Sequence, residues 1–339
     1  MTVSPDEPSA ATAASADPPV RHHLPAARDD DPRGVALDHS ALPPTERRNP
    51  RTVAIDVLPT LGVLELLNAE DEIVPAAVRS LLAVLAEVVD EAAERVRRGG
   101  RVHYFGAGSS GRIAVLDATE LEPTFGLAPG VVIAHLAGGD TAMTRAVEGA
   151  EDDEAHGRAD AGPVDERDVV IGLSASGRTP YVAGALSTAG ARGAYTVVIT
   201  SDPGSRLLPL AAVGLVAETG PEAIAGSTRM KATTAMKLIL NSFSTALMIR
   251  LGKTYSNLMV GVSASNSKLR DRKVRILAEA SGETKAACEA ALAGADGDLR
   301  LAMVMLLGGV GAIEARSALA AATDGGGDGS VRSALDRLP

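Results

Sequence analysis

Two kinds of side chain in this sequence can do chemistry: hydroxyls set in glycine-rich turns, and carboxylates a short distance beyond them. The run Gly106-Ala107-Gly108-Ser109-Ser110-Gly111 joins a β-prone stretch, Val102 to Phe105, to a helical pattern from Arg112 onward. Such a turn is a phosphate cradle. Its glycines let the backbone approach an anion, free N–H groups and the positive helix end favour negative charge, and Ser109 and Ser110 add hydroxyl donors. Glu120 follows about two helical turns later.

The pattern recurs. Ser174-Ala175-Ser176-Gly177-Arg178-Thr179-Pro180 closes an apolar run, with Pro180 suited to the first helical position. A third turn, Gly220 to Lys231, carries Glu222, Ser227 and Thr228 ahead of a helix at Ala232 to Leu251, and Lys231 adds a fixed positive charge. One such turn is an ordinary helix cap; three at one edge of a sheet favour an anionic ligand shared among them. The glycines also fit G-x-G-x-x-G, so a dinucleotide site is the rival reading. That fingerprint needs an acidic residue about 20 positions on, and Asp140 comes late for it. An acidic cluster, Glu148 to Asp153, lies in a helix-like segment after the next strand. By charge pattern it reads as a solvated helix end, and alternatively as the source of a carboxylate partner for Glu120.

The elements that must position these residues follow from the apolar periods. Helical spacing over Ile55 to Leu67 and Val74 to Val96 predicts two helices, the second ended by Gly99-Gly100. Strands are expected at 102–105, Val131 to Leu136, Asp168 to Leu173, Tyr195 to Thr200 and Leu215 to Ala217, with helices between them. This alternation predicts an α/β fold with a doubly wound, mostly parallel sheet and ligands at the carboxyl ends of the strands. Residues 1–44 have no apolar period and read as a disordered tail. Residues 45–270 read as the α/β domain with its N-terminal helices, and 271–339 as a small Ala-rich helical domain without chemistry of its own.

Bulk properties exclude several function classes. With 339 residues, no Trp, three Phe and four Tyr, the chain offers no aromatic platform for bases, and a net charge of -10 disfavours a nucleic-acid partner. The single Cys288 excludes an intrachain disulfide. The most apolar run, Leu301 to Ile313, is shorter than the ~20 residues of a membrane span. A cytoplasmic protein without a membrane partner is expected. His22 and His23 have no further ligands near them in sequence, so no metal is expected there.

From Thr45 to Ile276 the sequence resembles the N-acetylmuramic acid 6-phosphate etherases, a branch of the sugar isomerase (SIS) superfamily. The resemblance rests on E-x-R-N-P at Glu46 to Pro50, the turn Gly106 to Arg112, L-D-A-T-E at Leu116 to Glu120 and A-V-E-G-A-E-D at Ala146 to Asp152. It continues through A-S-G-R-T-P-Y at Ala175 to Tyr181, G-S-T-R-M-K-A at Gly226 to Ala232 and G-K-x-Y-x-N-L-M-V at Gly252 to Val260. It implies a SIS fold, a homodimer, and cleavage of the lactyl ether of MurNAc 6-phosphate to GlcNAc 6-phosphate and D-lactate, without cofactor or metal. The family's two glutamates land on Glu120, as proton donor, and Glu151, as base. Ser109, Ser110, Ser176, Gly177 and Thr179, with Ser174, Ser227 and Thr228, are then the phosphate contacts, while Glu222 and Lys231 lie near the site by motif alone. Glu122 adds a second carboxylate beside Glu120. A sugar-phosphate isomerase would use the same turns and proton abstraction without elimination, and a non-catalytic sugar-phosphate sensor would use the turns alone.

Overall fold

The computed structural model describes residues 42–261, 267–324 and 327–338, within one unit, Asp38–Pro339. The tail expected at 1–44 therefore lies outside the described residues except for 42–44, and Pro44 already opens a 3-10 turn, Pro44–Glu46.

Runs that stay apolar at every position need cover on both faces, and the central strands have it. The strands β1 (Val102–Gly106), β2 (Val132–Leu136), β3 (Val169–Leu173), β4 (Tyr195–Thr200) and β5 (Val213–Val216) form one parallel sheet in the order β2-β1-β3-β4-β5. Side chains alternate between two cores. Val102, Tyr104, Val169, Ile171 and Leu173 face a layer of helices α2 (Ile73–Arg79), α3 (Leu82–Arg97), α4 (Gly108–Phe125) and α8 (Lys231–Arg250). Phe105, Val170 and Val198 face α7 (Pro180–Ala191), against which α6 (Glu154–Asp160) packs. Strand order reverses between β1 and β3, so the switch point of the sheet falls between the first two hydroxyl turns, where ligands of doubly wound folds bind.

Three expectations need correction. The periodic stretch 55–67 becomes helical only at α1 (Thr60–Asp71), after Pro59 and a 3-10 turn at Ile55–Val57. The stretch 74–96 is two helices, α2 and α3, broken at Ser80-Leu81; both bury their apolar stripes on α8 or its core, so the spacing runs through the break. The acidic segment is mostly loop. A short α5 (Thr141–Thr144) ends at Arg145, Gly149 adopts φ +73, and Ala150–Asp152 is a single 3-10 turn before α6.

Beyond α8 a hairpin, β6 (Thr254–Tyr255) with β7 (Leu258–Met259), leads to helices α9 (Ser267–Ser281), α10 (Lys285–Gly294), α11 (Leu299–Gly308), α12 (Ala312–Thr323) and α13 (Val331–Leu335). They close around an apolar cluster of their own that includes Leu277, Cys288, Met303 and Leu319. The apolar run from Leu301 is therefore core packing: Leu301 to Val304 are buried there, and among the described residues no single helix is long and apolar enough to cross a membrane.

Candidate active site

The first turn is tighter than its sequence pattern implies. Helix α4 begins at Gly108, so Gly108, Ser109 and Ser110 lead its first turn with the N–H groups left free at a helix start, while the Gly111 N–H already donates to the Ala107 carbonyl at 3.2 Å. Gly106 and Gly111 lie against each other: a Cβ on Gly106 would stand 2.8 Å from the Gly111 backbone. These two glycines serve strand–helix packing. Ser110 is buried and Ser109 half-buried.

The second turn continues β3 beside it. Ser174 and Thr179 share a hydrogen bond between hydroxyls at 2.8 Å; Thr179 sits at the N-cap position of α7 without a side-chain capping bond, and Pro180 takes the first helical position, as expected. The turn is held from beneath. The Gly177 carbonyl accepts from Ser205 Oγ at 3.0 Å and from the Arg206 N–H at 3.1 Å, and the Ala175 carbonyl accepts from the Ser201 N–H at 3.1 Å. Gly177 has φ +66, and a Cβ there would strike Ser205 and Thr200. Ser205 and Thr200 support this turn, and the sequence gives no sign of it beyond the hydroxyls of Thr200, at the end of β4, and of Ser201 and Ser205 after it.

The third turn reaches the same edge of the sheet by a longer route. The C-terminal end of α8 meets the end of α3, where Arg97 Nη2 donates to the Arg250 carbonyl at 2.6 Å, and α3 leads into the amino end of β1. Twenty residues of helix then carry the N-terminus of α8, with Ser227 and Thr228 before it, to the carboxyl edge, about 30 Å away. Glu222 and Lys231 support this turn through bonds within the protein. The Glu222 carboxylate accepts from the Lys231 and Ala232 N–H groups, both at 3.0 Å, capping α8; burial pushes its carboxyl up despite those bonds. Lys231, read from the sequence as a fixed positive charge near the site, is only 1% exposed and donates to Glu70 Oε2 at 2.6 Å. Glu70 also accepts from Arg51 and from Asn49 Nδ2 at 2.7 Å. Further bonds run from Asn49 to the Pro221 carbonyl, from Thr52 Oγ1 to the Ala223 carbonyl and from the Gly226 N–H to the Thr45 carbonyl. The segment 45–52 is thus a clamp on the third turn.

Glu151 is exposed and lines a cavity of about 340 Å³ with Ala107 and Gly108 of the first turn, and with Arg112, Arg145 and Glu148. Arg112 holds the cavity's outer wall, donating to the Ala142 carbonyl at 2.9 Å and to the Arg145 carbonyl at 3.1 Å. The segment after Glu151 is fastened to the second turn's helix. A Cβ on Gly157 would strike the Tyr181 carbonyl and one on Gly184 the Glu154 carbonyl, so α6 and α7 touch backbone to backbone, and Tyr181 OH donates to Asp160 Oδ2 at 2.7 Å.

Glu120 does not line this cavity. It is exposed on α4, about 18 Å along the axis from Gly108. It shares a stripe with Ser109, Ile113 and Leu116 by helical spacing; Ser109 and Ile113 are half-buried, Ile113 against the sheet core, while Leu116, 46% exposed, leaves the Glu120 end of the stripe uncovered. The opposite side of α4 is fixed: Asp117 accepts from Ser244 Oγ at 2.9 Å and from Tyr104 OH at 3.1 Å, and burial raises its carboxyl to about 6. Glu122, the neighbouring carboxylate, turns instead to a groove along the β2 edge.

With this geometry in view, the relatives are informative. A family model of the glucokinase regulatory protein N-terminal SIS domain matches residues 84–190 and a SIS domain model matches 143–246. An N-acetylmuramic acid 6-phosphate etherase of Thermobifida fusca (strain YX) is 59% identical over 264 residues, covering 78% of this chain and 87% of its own. The chain belongs to the N-acetylmuramic acid 6-phosphate etherase family. A second member, from Yersinia pestis (strain Pestoides F), is 50% identical over 81% of this chain and 94% of its own. Among solved structures, a phosphoheptose isomerase from Francisella tularensis is 20% identical with a TM-score of 0.46, covering 56% of this chain and 98% of its own. This etherase-family chain has the mostly parallel SIS sheet with helices on both faces and a helical C-terminal region.

Proposed function

We propose that this chain cleaves the lactyl ether of MurNAc 6-phosphate, with Glu151 as base and Glu120 as proton donor. The ether is unactivated in the ring form. In the open-chain aldehyde it lies β to the carbonyl, so loss of the proton between them allows elimination. Glu151 takes that proton from carbon. Glu120 gives its proton to the departing lactate oxygen, then accepts one from the water that adds across the double bond, leaving GlcNAc 6-phosphate and D-lactate. Every proton taken is returned, and no oxidant or metal enters the balance.

The observation that carries this reading is the placement of Glu151 on one cavity with the first hydroxyl turn, on a segment fastened to the helix of the second. Ser109, Ser110, Ser176, Thr179 and, on the flanks, Ser174, Ser227 and Thr228 hold the phosphate, which sets the reacting carbons in register with the base. The functional unit is a homodimer. Its support is the uncovered Leu116–Glu120 end of the α4 stripe, which a second copy would bury, closing Glu120 over the sugar. A phosphorylated amino sugar is a cytoplasmic metabolite, and that is where we place the enzyme, in recovery of cell-wall sugar.

Incubation with MurNAc 6-phosphate and a lactate assay test the reading. Lactate release supports it; conversion of the sugar without lactate would favour an isomerase, and binding without turnover a sensor. Sedimentation as a monomer at micromolar concentration would remove the dimer.

A further inference from the structure

The motif Gly252 to Val260 takes no part in the site described above, yet it carries a lysine whose ammonium has no partner among the described residues. Lys253 follows α8, at the amino edge of the sheet and so opposite the hydroxyl turns. It borders a cavity of about 390 Å³ between the C-terminal end of α4, at Phe125-Gly126, and the start of α11. Lys273 and Arg300 line the same cavity. We propose that this cavity is a second anion site, which takes a small oxyanion, either a carboxylate or a phosphate, with Lys253 as its principal ligand.

Lys273 is 8% exposed, and its ammonium donates to the Gly297 carbonyl at 2.7 Å; Arg300 Nη1 donates to the Gly329 carbonyl at 3.2 Å. The Lys253 ammonium has neither a hydrogen bond nor an ion pair among the described residues, although the residue is half-buried. Burial lowers its proton affinity and the Arg300 charge lowers it further. Two carboxylates also line the cavity, and neither relieves Lys253. Asp298 spends its carboxylate on the Leu301 N–H at 3.0 Å and acts electrostatically on Lys273. Asp296 is at the rim, its side chain 92% exposed and 3.9 Å from Arg316. Three cations therefore meet two carboxylates that are engaged elsewhere, and a half-buried ammonium without an anion costs free energy that a bound oxyanion would recover. The two ends of the cavity belong to different cores, α4 to the sheet layer and α11 to the C-terminal cluster. An anion there would bind the two together.

The test needs no substitution at first. Full-length protein is acetylated with a limiting lysine reagent, and modification at each lysine is followed by mass spectrometry, alone and with inorganic phosphate or D-lactate. The expected result is several-fold slower modification of Lys253 with one of the two anions, while the exposed Lys285 is unaffected. Protection by phosphate alone identifies a phosphate site, and protection by lactate alone a carboxylate site. Equal rates at Lys253 with and without both anions would overturn the proposal. So would loss of the protection in Ser176→Ala, because the anion would then act from the hydroxyl turns. As a second measurement, the anion-dependent rise in melting temperature should survive in Lys253→Arg and disappear in Lys253→Met; an unchanged rise in Lys253→Met also overturns it. None of these readouts depends on which glutamate moves which proton.

Discussion

Lys231 and Glu70, 161 residues apart in sequence, form a 2.6 Å ion pair in which both side chains are almost wholly buried. Buried pairs of this kind are costly to break, because removing one partner strands a charge in low dielectric. Glu70→Gln should therefore lower the unfolding free energy by about 3 to 5 kcal/mol in urea titrations, and Glu70→Leu combined with Lys231→Met should recover most of that loss. A loss no larger than that of an exposed pair, below about 1 kcal/mol, would show that the clamp does not hold the fold.

The same pair sets an acid limb. The Glu70 carboxyl is held down to about 2, chiefly by Arg51 and then by Lys231 and Asn49, against the desolvation that would raise it. Between its ordinary 4.5 and about 2 the unfolded chain binds the extra proton, so stability falls as pH falls through that window, by roughly 3 kcal/mol in all. Glu70→Gln should flatten this limb in pH-dependent melting.

Asp117 works in the opposite direction. Burial raises its carboxyl from 3.8 to about 6, so the folded chain keeps the proton longer. Its contribution to stability is complete below pH 3.8 and is lost as pH rises through 6. Asp117→Asn should remove the decline in melting temperature between those values and leave the more acidic limb attributed to Glu70 in place.

The glutamates separate by isotope. Glu151→Gln should abolish both lactate release and exchange of the carbon-bound proton with deuterated solvent, whereas Glu120→Gln should stop lactate release and keep exchange on GlcNAc 6-phosphate. Each loss should be about 10²- to 10⁴-fold. Glu122→Gln, whose side chain faces the β2 edge, should be mild. Exchange surviving in Glu151→Gln but not in Glu120→Gln would reverse the roles.

Ser176→Ala should weaken binding of GlcNAc 6-phosphate by about 1.5 to 3 kcal/mol, the worth of a hydrogen bond to a charged group. Thr179→Val should cost at least as much, since it also leaves Ser174 without the hydroxyl it pairs with at 2.8 Å. Unchanged affinity by calorimetry in both variants would place the phosphate elsewhere.

Local signals account for most of what the sequence made legible. The strands begin and end within about two residues of the apolar runs because a fully buried parallel strand tolerates no polar interruption, and Ser, Gly and Pro punctuate the turns that follow. What stayed hidden was either non-local or non-periodic. Glu70 on α1 looks like a solvated helix carboxylate until the fold brings Lys231 to it. The break between α2 and α3 has no Gly or Pro, and the stripe Val78, Leu81, Leu85 runs across it. Lys231 read only as a fixed positive charge near the third turn, because its charge is visible in sequence and its counter-charge is not. Glu151 was identified by resemblance; the charge pattern around it resembles any wet helix end, and the backbone there is a loop bent at Gly149.

The backbone contacts of Gly157 with Tyr181 and of Gly184 with Glu154 set a length. With α6 and α7 touching backbone to backbone at these glycines, the loop bearing Glu151 cannot slide relative to the turn bearing Ser176 and Thr179, so in the proposed mechanism the span from phosphate to base is a rigid gauge. A sugar phosphorylated one carbon away would offer its acidic proton at the wrong mark, however well its phosphate bound. Selectivity for the position of the phosphate would then be read in turnover more than in affinity, and inserting a methyl between the helices, by Gly157→Ala, would recalibrate the gauge without touching a single group that meets the substrate.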